Sequence, residues 1–342
     1  MNYTYLLIYI LLCISLIIVC KKNSIFVDYK KEKHKRYSSH SRTYSVGGVF
    51  FLIFLFYYYY KFNRDISFLI FYISIFFIGI LSDLKQLNSV KLRFFFQIFF
   101  IFTFVYLLEI SILNTRIVYF DNLLKYDLIN ILFVTFCLLV LINGGNFIDG
   151  INGLLIKYNL IIFTVIYFFF QNHSGLNNNL LICLIHILTF LLILNLSGHI
   201  YMGDSGAYLL SLFTGSYLIL FAYQNPLISP YMIIIFLWYP CFELLFSMIR
   251  RLFGRNKTYE PDTYHLHQLI YLKIKNICKF NNNLYFHILT SLVINIYNLL
   301  VFIIATKFIY SSFYLNTLIF LNIFVYISVY FSLKKNLFKE TK

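Results

Sequence analysis

Residues 128–170 read LINILFVTFCLLVLINGGNFIDGINGLLIKYNLIIFTVIYFFF, in which two apolar runs flank a short polar stretch. A helix needs about 20 apolar residues to cross the hydrocarbon of a bilayer, with roughly 17 to 25 as the working range. The runs Leu128–Ile142 and Leu154–Phe170 come close to that length. They predict two membrane-spanning helices with a polar, glycine-rich segment at the membrane edge between them.

The rest of the chain repeats this pattern. Of its 342 residues, 61% are hydrophobic and 12% are charged, which is too little charge to cover the surface of a water-soluble protein. Nine further apolar runs bring the number of candidate spans to about eleven: Tyr3–Cys20, Val46–Tyr60, Ile66–Leu81, Leu92–Leu108, Leu180–Asn195, Gly206–Tyr223, Pro230–Ile249, Leu284–Thr306 and Tyr310–Leu333. The sequence therefore predicts an all-α, polytopic transmembrane helical bundle that forms one integral membrane domain over residues 1–342.

The distribution of positive charge predicts how the chain is oriented. Lys21 and Lys22 follow the first run and no small-residue cleavage site is present, so this run is not a cleaved signal peptide. When the segments between spans are assigned alternately to the two sides, one side holds 23 of the 28 Lys and Arg residues. Positive charge is retained on the cytoplasmic side, so the N-terminus is expected outside and the C-terminus in the cytoplasm. The cytoplasmic segments are then 21–45, 82–93, 143–157, 196–205, 250–283 and 334–342.

The net charge of +15 could suggest a nucleic-acid partner. In a chain this apolar, with no soluble basic domain, anionic membrane lipids or phosphorylated substrates are the expected partners, and no nucleic acid. The six cysteines are scattered and form no metal-ligand spacing, so they are interpreted as small core residues.

Three carboxylates, Asp83, Asp149 and Asp204, lie where an apolar run meets the predicted cytoplasmic face. A carboxylate at a membrane edge is costly to desolvate unless it has a partner. Each alone could be a helix cap or a water-facing loop residue, but three on one face favour a functional site. Oxygen ligands with open positions suit Mg²⁺, with Mn²⁺ as a substitute, and no Cys or His spacing offers a zinc site.

The segment NGGNFIDGING (143–153) places a polar residue at every third position: Asn143, Asn146, Asp149 and Asn152. On a helix such residues wind gradually round one side, which predicts a polar face toward a shared cleft. The intervening glycines would allow the backbone to approach a phosphate or a sugar closely. In YMGDSG (201–206), the start of the next helix would offer amide donors to a bound phosphate.

His265 and His267, in HLHQ, follow a basic run and favour contact with a nucleotide or pyrophosphate. The basic run itself (Arg250, Arg251, Arg255 and Lys257) has two interpretations, substrate binding or charge that only anchors topology and touches anionic lipid. The same two interpretations apply to Arg42, which precedes the pair Gly47–Gly48. Glu243 is an acid within a predicted span, for which Arg250 is one candidate partner.

These motifs together resemble the polyprenyl-phosphate N-acetylhexosamine-1-phosphate transferases, glycosyltransferase family 4, which includes the MraY and WecA enzymes. The matching features are the Gly-Gly entry to the second span, GILSDLK…KLR…Q (79–97), NGGNFIDGINGL (143–154), MGDSG (202–206) and the basic loop that ends in PDTYHLH (261–267). They occur in the family's order from about Arg42 to Leu269.

The resemblance implies that the phosphate of a polyprenyl phosphate attacks the β-phosphorus of a UDP-N-acetylhexosamine and releases UMP. By position, Asp204 and Asp83 would bind Mg²⁺, and Asp83 and Asp149 would be catalytic. Contacts to the nucleotide sugar would come from Asn143, Asn146, Asn152, His265 and His267. The phosphates would be held by Arg42, Thr43 and Lys85.

The sequence departs from the family pattern at Ser82 and Asn152, where the family usually has acids. A mechanism that needs a carboxylate at either position is therefore not expected. One alternative is a catalytically impaired relative that binds polyprenyl phosphate. Another is a secondary transporter, although no internal repeat is visible and the acids lie at the membrane edge rather than at its midplane.

The expected reaction starts a cell-envelope glycan, such as O-antigen, teichoic acid or capsule, in the bacterial cytoplasmic (inner) membrane. UDP-GlcNAc-type sugars are the first expectation for the substrate. The sequence leaves open whether the transfer passes through a covalent aspartyl intermediate, and whether the protein is a homodimer.

Overall fold

The computed structural model describes residues 3–23, 26–28, 43–61, 65–112, 114–171, 173–174, 176–253, 264–278 and 282–339. This part of the chain forms helices and one pair of very short strands. In chain order the elements are α1 (Tyr3–Asn23), β1 (Val27–Asp28), β2 (Thr43–Tyr44), α2 (Gly47–Lys61), α3 (Ile66–Asp83), α4 (Val90–Leu107), α5 (Val118–Leu124), α6 (Asp127–Ile148), α7 (Leu154–Phe169), α8 (Asn178–Leu196), α9 (Gly203–Gln224), α10 (Pro230–Phe253), α11 (Leu266–Ile277), α12 (Asn283–Thr306) and α13 (Ser312–Lys339).

Each of the eleven predicted spans overlaps a helix of the structure. Among the described residues, eight helices are long and apolar enough to cross a membrane: α3, α4, α6, α8, α9, α10, α12 and α13. Helix α7 is apolar but shorter. The prediction of a polytopic, all-helical membrane protein is therefore confirmed, while the number of spans and the sides on which the termini lie stay predictions.

Helix α9 lies at the centre of the bundle, where it packs against α2, α3, α6 and α10. Two of these neighbours approach its first turn closely through glycines. A Cβ atom on Gly79 of α3 would lie 2.2 Å from the Cα atom of Ser205, and one on Gly48 of α2 would lie 2.5 Å from the amide nitrogen of Gly206. Any larger residue at either position would push the helices apart, so the glycines bring the ends of α2 and α3 onto the start of α9.

The segment before α2 is tied to the segment before α9. Strands β1 and β2 pair antiparallel, and Tyr44 also forms a parallel bridge with Ile200. The Tyr201 amide donates to the Tyr44 carbonyl at 2.9 Å, and the Gly47 amide donates to the Tyr201 carbonyl at 3.0 Å. These bonds fix the entry to α2 beside the motif 201–206.

The prediction that one helix carries the whole NGGNFIDGING motif is wrong, because α6 ends at Ile148. Asp149 caps that helix, and α7 begins after Gly153, whose φ is +78°. The Asn195 side chain of α8 accepts the Gly153 amide at 2.5 Å, and the Asn195 carbonyl accepts the Asn152 side-chain amide at 2.7 Å. The connection is therefore a turn fastened to α8.

Candidate active site at the first turn of helix α9

Two of the predicted site carboxylates accept hydrogen bonds from the first backbone amides of α9. Asp83, the last residue of α3, accepts the Asp204 amide at 2.9 Å and the Ser205 amide at 3.1 Å, and it also accepts the Ser205 hydroxyl at 2.7 Å. Asp149, at the end of α6, accepts the Gly203 amide at 3.2 Å. The first backbone amides of a helix have no hydrogen-bond partner within the helix, and they form the positive end of the helix dipole. Both carboxylates are therefore stabilised at this position.

This arrangement changes one expectation. The first amides of α9 were predicted to face a bound phosphate, but the carboxylates of Asp83 and Asp149 already accept them. A helix-capping role and a role in a functional site were treated as alternatives for these aspartates. The structure shows the capping contacts, and it also brings all three aspartates together at one end of the bundle.

Asp204, on the first turn of α9, lies between Ser82 and Arg93. Its Oδ2 atom accepts the Ser82 hydroxyl at 2.5 Å and the Arg93 guanidinium at 2.7 Å. The same guanidinium nitrogen donates to the Ser82 oxygen at 2.5 Å. Ser82, where the resemblance predicts an acid, is therefore a hydrogen-bonding partner of Asp204, and Arg93 compensates the negative charge of the site.

The polar residues of α6 divide between two locations. Asn143 donates to the Gln97 side chain of α4 at 3.0 Å, and Asn146 donates to the Tyr208 hydroxyl of α9 at 3.3 Å. Both side chains are half-buried and lie on the side of α6 that faces α4 and α9.

Asn152 lies elsewhere. It is fully buried, its backbone amide donates to the His287 ring at 3.2 Å, and its side-chain oxygen accepts the Tyr201 hydroxyl at 3.1 Å. Its side-chain amide donates to the Asn195 carbonyl. The structure therefore does not bring Asn152 to the same surface as Asn143 and Asn146.

The histidine pair at the start of α11 packs against the α6 motif. The His265 ring meets the edge of Phe147 with 4.9 Å between ring centroids, and it stacks on the His267 ring at 5.4 Å. The histidine pair therefore packs against the last turn of α6, at the residue that follows Asn146. Burial lowers the pKa of His267 to about 3 and outweighs the opposing effect of the Glu243 charge, so this ring is neutral near pH 7.

The three predicted phosphate ligands are not equally accessible in the structure. Thr43 is buried in β2, whereas Lys85 is exposed just after α3, with a φ of +60°. Arg42 lies outside the described residues. Among the residues that the structure does describe, no group of three or more His, Cys, Asp or Glu side chains is placed to hold a metal ion.

Two partners of the site were missed from the sequence. Arg93 is part of the KLR stretch, but the sequence did not indicate that it reaches Asp204, 111 positions away. Glu243 binds His265, with 2.9 Å between the carboxylate and the ring nitrogen Nδ1, instead of the suggested Arg250. The signal in both cases was a charged residue at or within an apolar run, which requires a partner.

A helical bundle with spans of this length defines a polytopic membrane protein, and its polar site lies at one end of the bundle. Residues 66–222, which run from α3 into α9, match the family described as glycosyl transferase family 4. The chain is also 27% identical, over 263 residues, to the undecaprenyl-phosphate alpha-N-acetylglucosaminyl 1-phosphate transferase of Thermotoga maritima, covering 76% of this chain and 78% of that protein. Both comparisons support the resemblance to glycosyl transferase family 4 that the motifs had predicted.

Proposed function

We propose that this protein transfers N-acetylhexosamine-1-phosphate from a UDP-sugar to undecaprenyl phosphate, or a similar polyprenyl phosphate, and releases UMP. The name of the Thermotoga maritima relative supports both the lipid acceptor and an N-acetylglucosaminyl donor, so UDP-GlcNAc is the first substrate to test. The observation that carries the proposal is the convergence of Asp83, Asp149 and Asp204 on one helical turn, although they come from three separate helices.

The residues of this turn suit a Mg²⁺ ion. Mg²⁺ usually takes one or two protein carboxylates and completes its shell with waters and substrate phosphates, so a cluster of three protein ligands is not required. Among the described residues, the Oδ1 atom of Asp204 accepts no hydrogen bond, and Asp83 lies against the same turn. These two aspartates would hold the ion, which when bound supplies neutralising charge to the phosphates.

The remaining side chains provide charge and orientation for two polyanionic reactants. Arg93 places a guanidinium beside Asp204, where it can donate to a phosphate oxygen and stabilise charge that develops during transfer. Asp149 would accept the proton of the lipid phosphate. Asn143, Asn146 and the histidine pair would orient the nucleotide sugar, and the fixed membrane face aligns the lipid phosphate with it.

The two departures from the family pattern do not weaken the proposal. Ser82 binds Asp204 by a hydrogen bond, and Asn152 is bonded within the fold. The three surviving aspartates therefore favour an active transferase over a relative that only binds lipid. In a bacterium, its place would be the cytoplasmic membrane, at the first step of a cell-envelope glycan.

The test is UMP release by the purified protein with polyprenyl phosphate, Mg²⁺ and a panel of UDP-sugars. UMP release should require both substrates and should stop when EDTA is added. Asp204→Asn should abolish turnover, whereas Asp127→Asn, an exposed aspartate at the first residue of α6, should not. Full activity of Asp204→Asn would overturn the metal assignment, and no UMP release with any UDP-sugar would overturn the function.

A further inference from the structure

Glu243 is a fully buried acid in the middle of α10, and two other helices supply its partners. Its Oε1 atom lies 2.9 Å from Nδ1 of His265 and 3.3 Å from the Leu266 amide, at the start of α11. Its Oε2 atom accepts the Tyr326 hydroxyl of α13 at 2.8 Å. The carboxylate therefore links α10, α11 and α13 beside the histidine pair.

The contacts of Glu243 place Nδ1 of His265 toward the carboxylate. An ionised carboxylate only accepts hydrogen bonds, so a charged Glu243 pairs with a ring that donates from Nδ1. The Ser247 hydroxyl oxygen is 3.2 Å from the same nitrogen. The carboxylate thus holds the ring with Nδ1 toward the protein interior, which leaves Nε2 as the outward nitrogen.

The other contacts of the His265 ring fix its plane. Phe147 meets it edge-on from α6, and His267 stacks on it with an angle of 7° between the rings. Among the described residues, Nε2 of His265 has no hydrogen-bond partner, and 7% of the side chain remains exposed. The ring that carries this nitrogen therefore lies beside the α6 motif, which contains Asn146 and Asp149.

A purely structural role explains these contacts poorly. Removing a carboxylate from water is expensive, and a buried ion pair is often no more stable than apolar residues of the same size. A neutral side chain would be enough to accept the hydrogen bonds from the Tyr326 hydroxyl and the Leu266 amide. The contact with His265 does gain from a negative charge, because a hydrogen bond to an ionised carboxylate is stronger than one to a neutral acceptor.

We propose that Glu243 is a positioning residue: it holds Nδ1 of the His265 ring and so turns Nε2 toward the nucleotide sugar. This inference rests on the proposed function. Among the described residues, the other ionisable groups around the ring are the neutral His267 beside it, Arg250 through the Ser247 hydroxyl, Arg251 over the Phe147 ring, His287 on α12 and Tyr326 on α13.

The kinetic test compares Glu243→Gln with Tyr326→Phe. Each variant removes or weakens hydrogen bonds at the same carboxylate, but only the first removes the charge. For histidines that bind a metal, loss of the group that holds the ring typically costs on the order of tenfold or more in affinity or activity. We expect Glu243→Gln to raise KM for the UDP-sugar about tenfold with a smaller change in kcat, and Tyr326→Phe to change KM less than about twofold. Equal effects of the two variants would overturn the proposal.

A double variant and a spectroscopic signature complete the test. In a His265→Gln background, Glu243→Gln should cause no further loss, because Glu243 acts through His265; additive losses would count against it. In protein labelled with ¹⁵N-histidine, the His265 nitrogens should show an Nδ1-protonated ring in the wild type and a changed pattern in Glu243→Gln. This readout does not need turnover. A wild type without UMP release contradicts the proposed function, whereas an unchanged His265 spectrum in Glu243→Gln contradicts the role of Glu243.

Discussion

The Arg93 guanidinium lies 2.7 Å from the Asp204 carboxylate. One oxygen of the aspartate that we propose as a metal ligand is therefore paired with a positively charged side chain. The side chains of the pair are 22% and 27% exposed. An ion pair with this much solvent contact contributes about 1 kcal/mol or less. Arg93 is therefore a weak competitor for Asp204, and a divalent cation or a substrate phosphate can displace the contact.

We predict that Arg93→Gln binds divalent cations a fewfold more tightly than the wild type, because it removes a positive charge from beside Asp204. The measurement is Mn²⁺ binding by electron paramagnetic resonance in detergent, without substrates. Lys91→Gln is the matched control, because it removes the same charge from an exposed position on the same helix. An equal gain in both variants would show that net charge alone, and not the contact with Asp204, sets the affinity.

We predict that Gly203→Ala destabilises the protein. Gly203 has a φ of +72°, and a Cβ atom there would lie 2.7 Å from the Asp83 carboxylate oxygen. The left-handed backbone alone costs roughly 1–2 kcal/mol for a residue with a side chain. The thermal unfolding midpoint in detergent should fall, and UMP release should fall with it as Asp83 is displaced.

Gly150→Ala provides the control for this prediction. A Cβ atom at position 150 meets only the Phe147 carbonyl at 3.9 Å, which is an ordinary contact. That variant should keep the wild-type unfolding midpoint within a few degrees. If Gly203→Ala were equally tolerated, the close packing of Asp83 against the first turn of α9 would be wrong.

The sequence predicted the helices well because membrane thickness fixes their length and lipid excludes open backbone, so apolar runs of the right length can form little else. The exceptions have local causes. Helix α11 has only 12 residues and carries Lys273 and Lys275, so no hydropathy run marks it. Helix α6 stops at Ile148 because Asn195, in a separate helix, binds the turn that follows.

The site was predicted in part. The positions of Asp83, Asp149 and Asp204 at the ends of apolar runs were enough to place them on one face. Their partners could not be predicted in the same way, because only the packing of the ends of α4 and α9 against α3 brings Arg93 and Asp204 together. Spacing along the chain carries no information on such contacts, so it could not separate Asn152 from Asn143 and Asn146.

We predict that Asn152→Asp, which restores the acid usual in the family, destabilises this protein. The side-chain amide of Asn152 donates to the Asn195 carbonyl. In Asn152→Asp, a fully buried carboxylate would face that carbonyl oxygen and would receive no hydrogen bond from it. Burying an uncompensated charge costs roughly 3–5 kcal/mol. The unfolding midpoint should drop by several degrees.

Asn146→Asp is the matched control for the Asn152 variant. Asn146 is half-buried and is bonded to the Tyr208 hydroxyl, which can donate to a carboxylate as readily as it accepts from an amide. Its midpoint should stay near that of the wild type. A stable, active Asn152→Asp variant would mean that position 152 still accommodates an acid and that its hydrogen bonds do not hold the turn.

We predict that His267 makes the protein sensitive to acid. Its pKa is lowered by burial to about 3, whereas an unfolded histidine titrates near pH 6.5, so protonation favours the unfolded chain. The contribution to stability is complete above about pH 6.5 and is lost at about 1.4 kcal/mol per pH unit as the pH falls toward 3. Neither ring nitrogen has a partner among the described residues, so His267→Leu should cost little stability at pH 7.5.

The measurement is the thermal unfolding midpoint at pH 7.5 and 5.5. The wild type should lose more between the two pH values than His267→Leu, by the equivalent of about 1.4 kcal/mol. His186→Leu, an exposed histidine on α8, should keep the wild-type dependence. A buried histidine without partners adds nothing to stability that leucine would not, so stability does not explain why the chain has a histidine there. If the ring is retained to bind substrate, His267→Leu should bind UDP-sugar more weakly. An unchanged affinity for UDP-sugar together with an unchanged pH dependence would contradict both roles of His267.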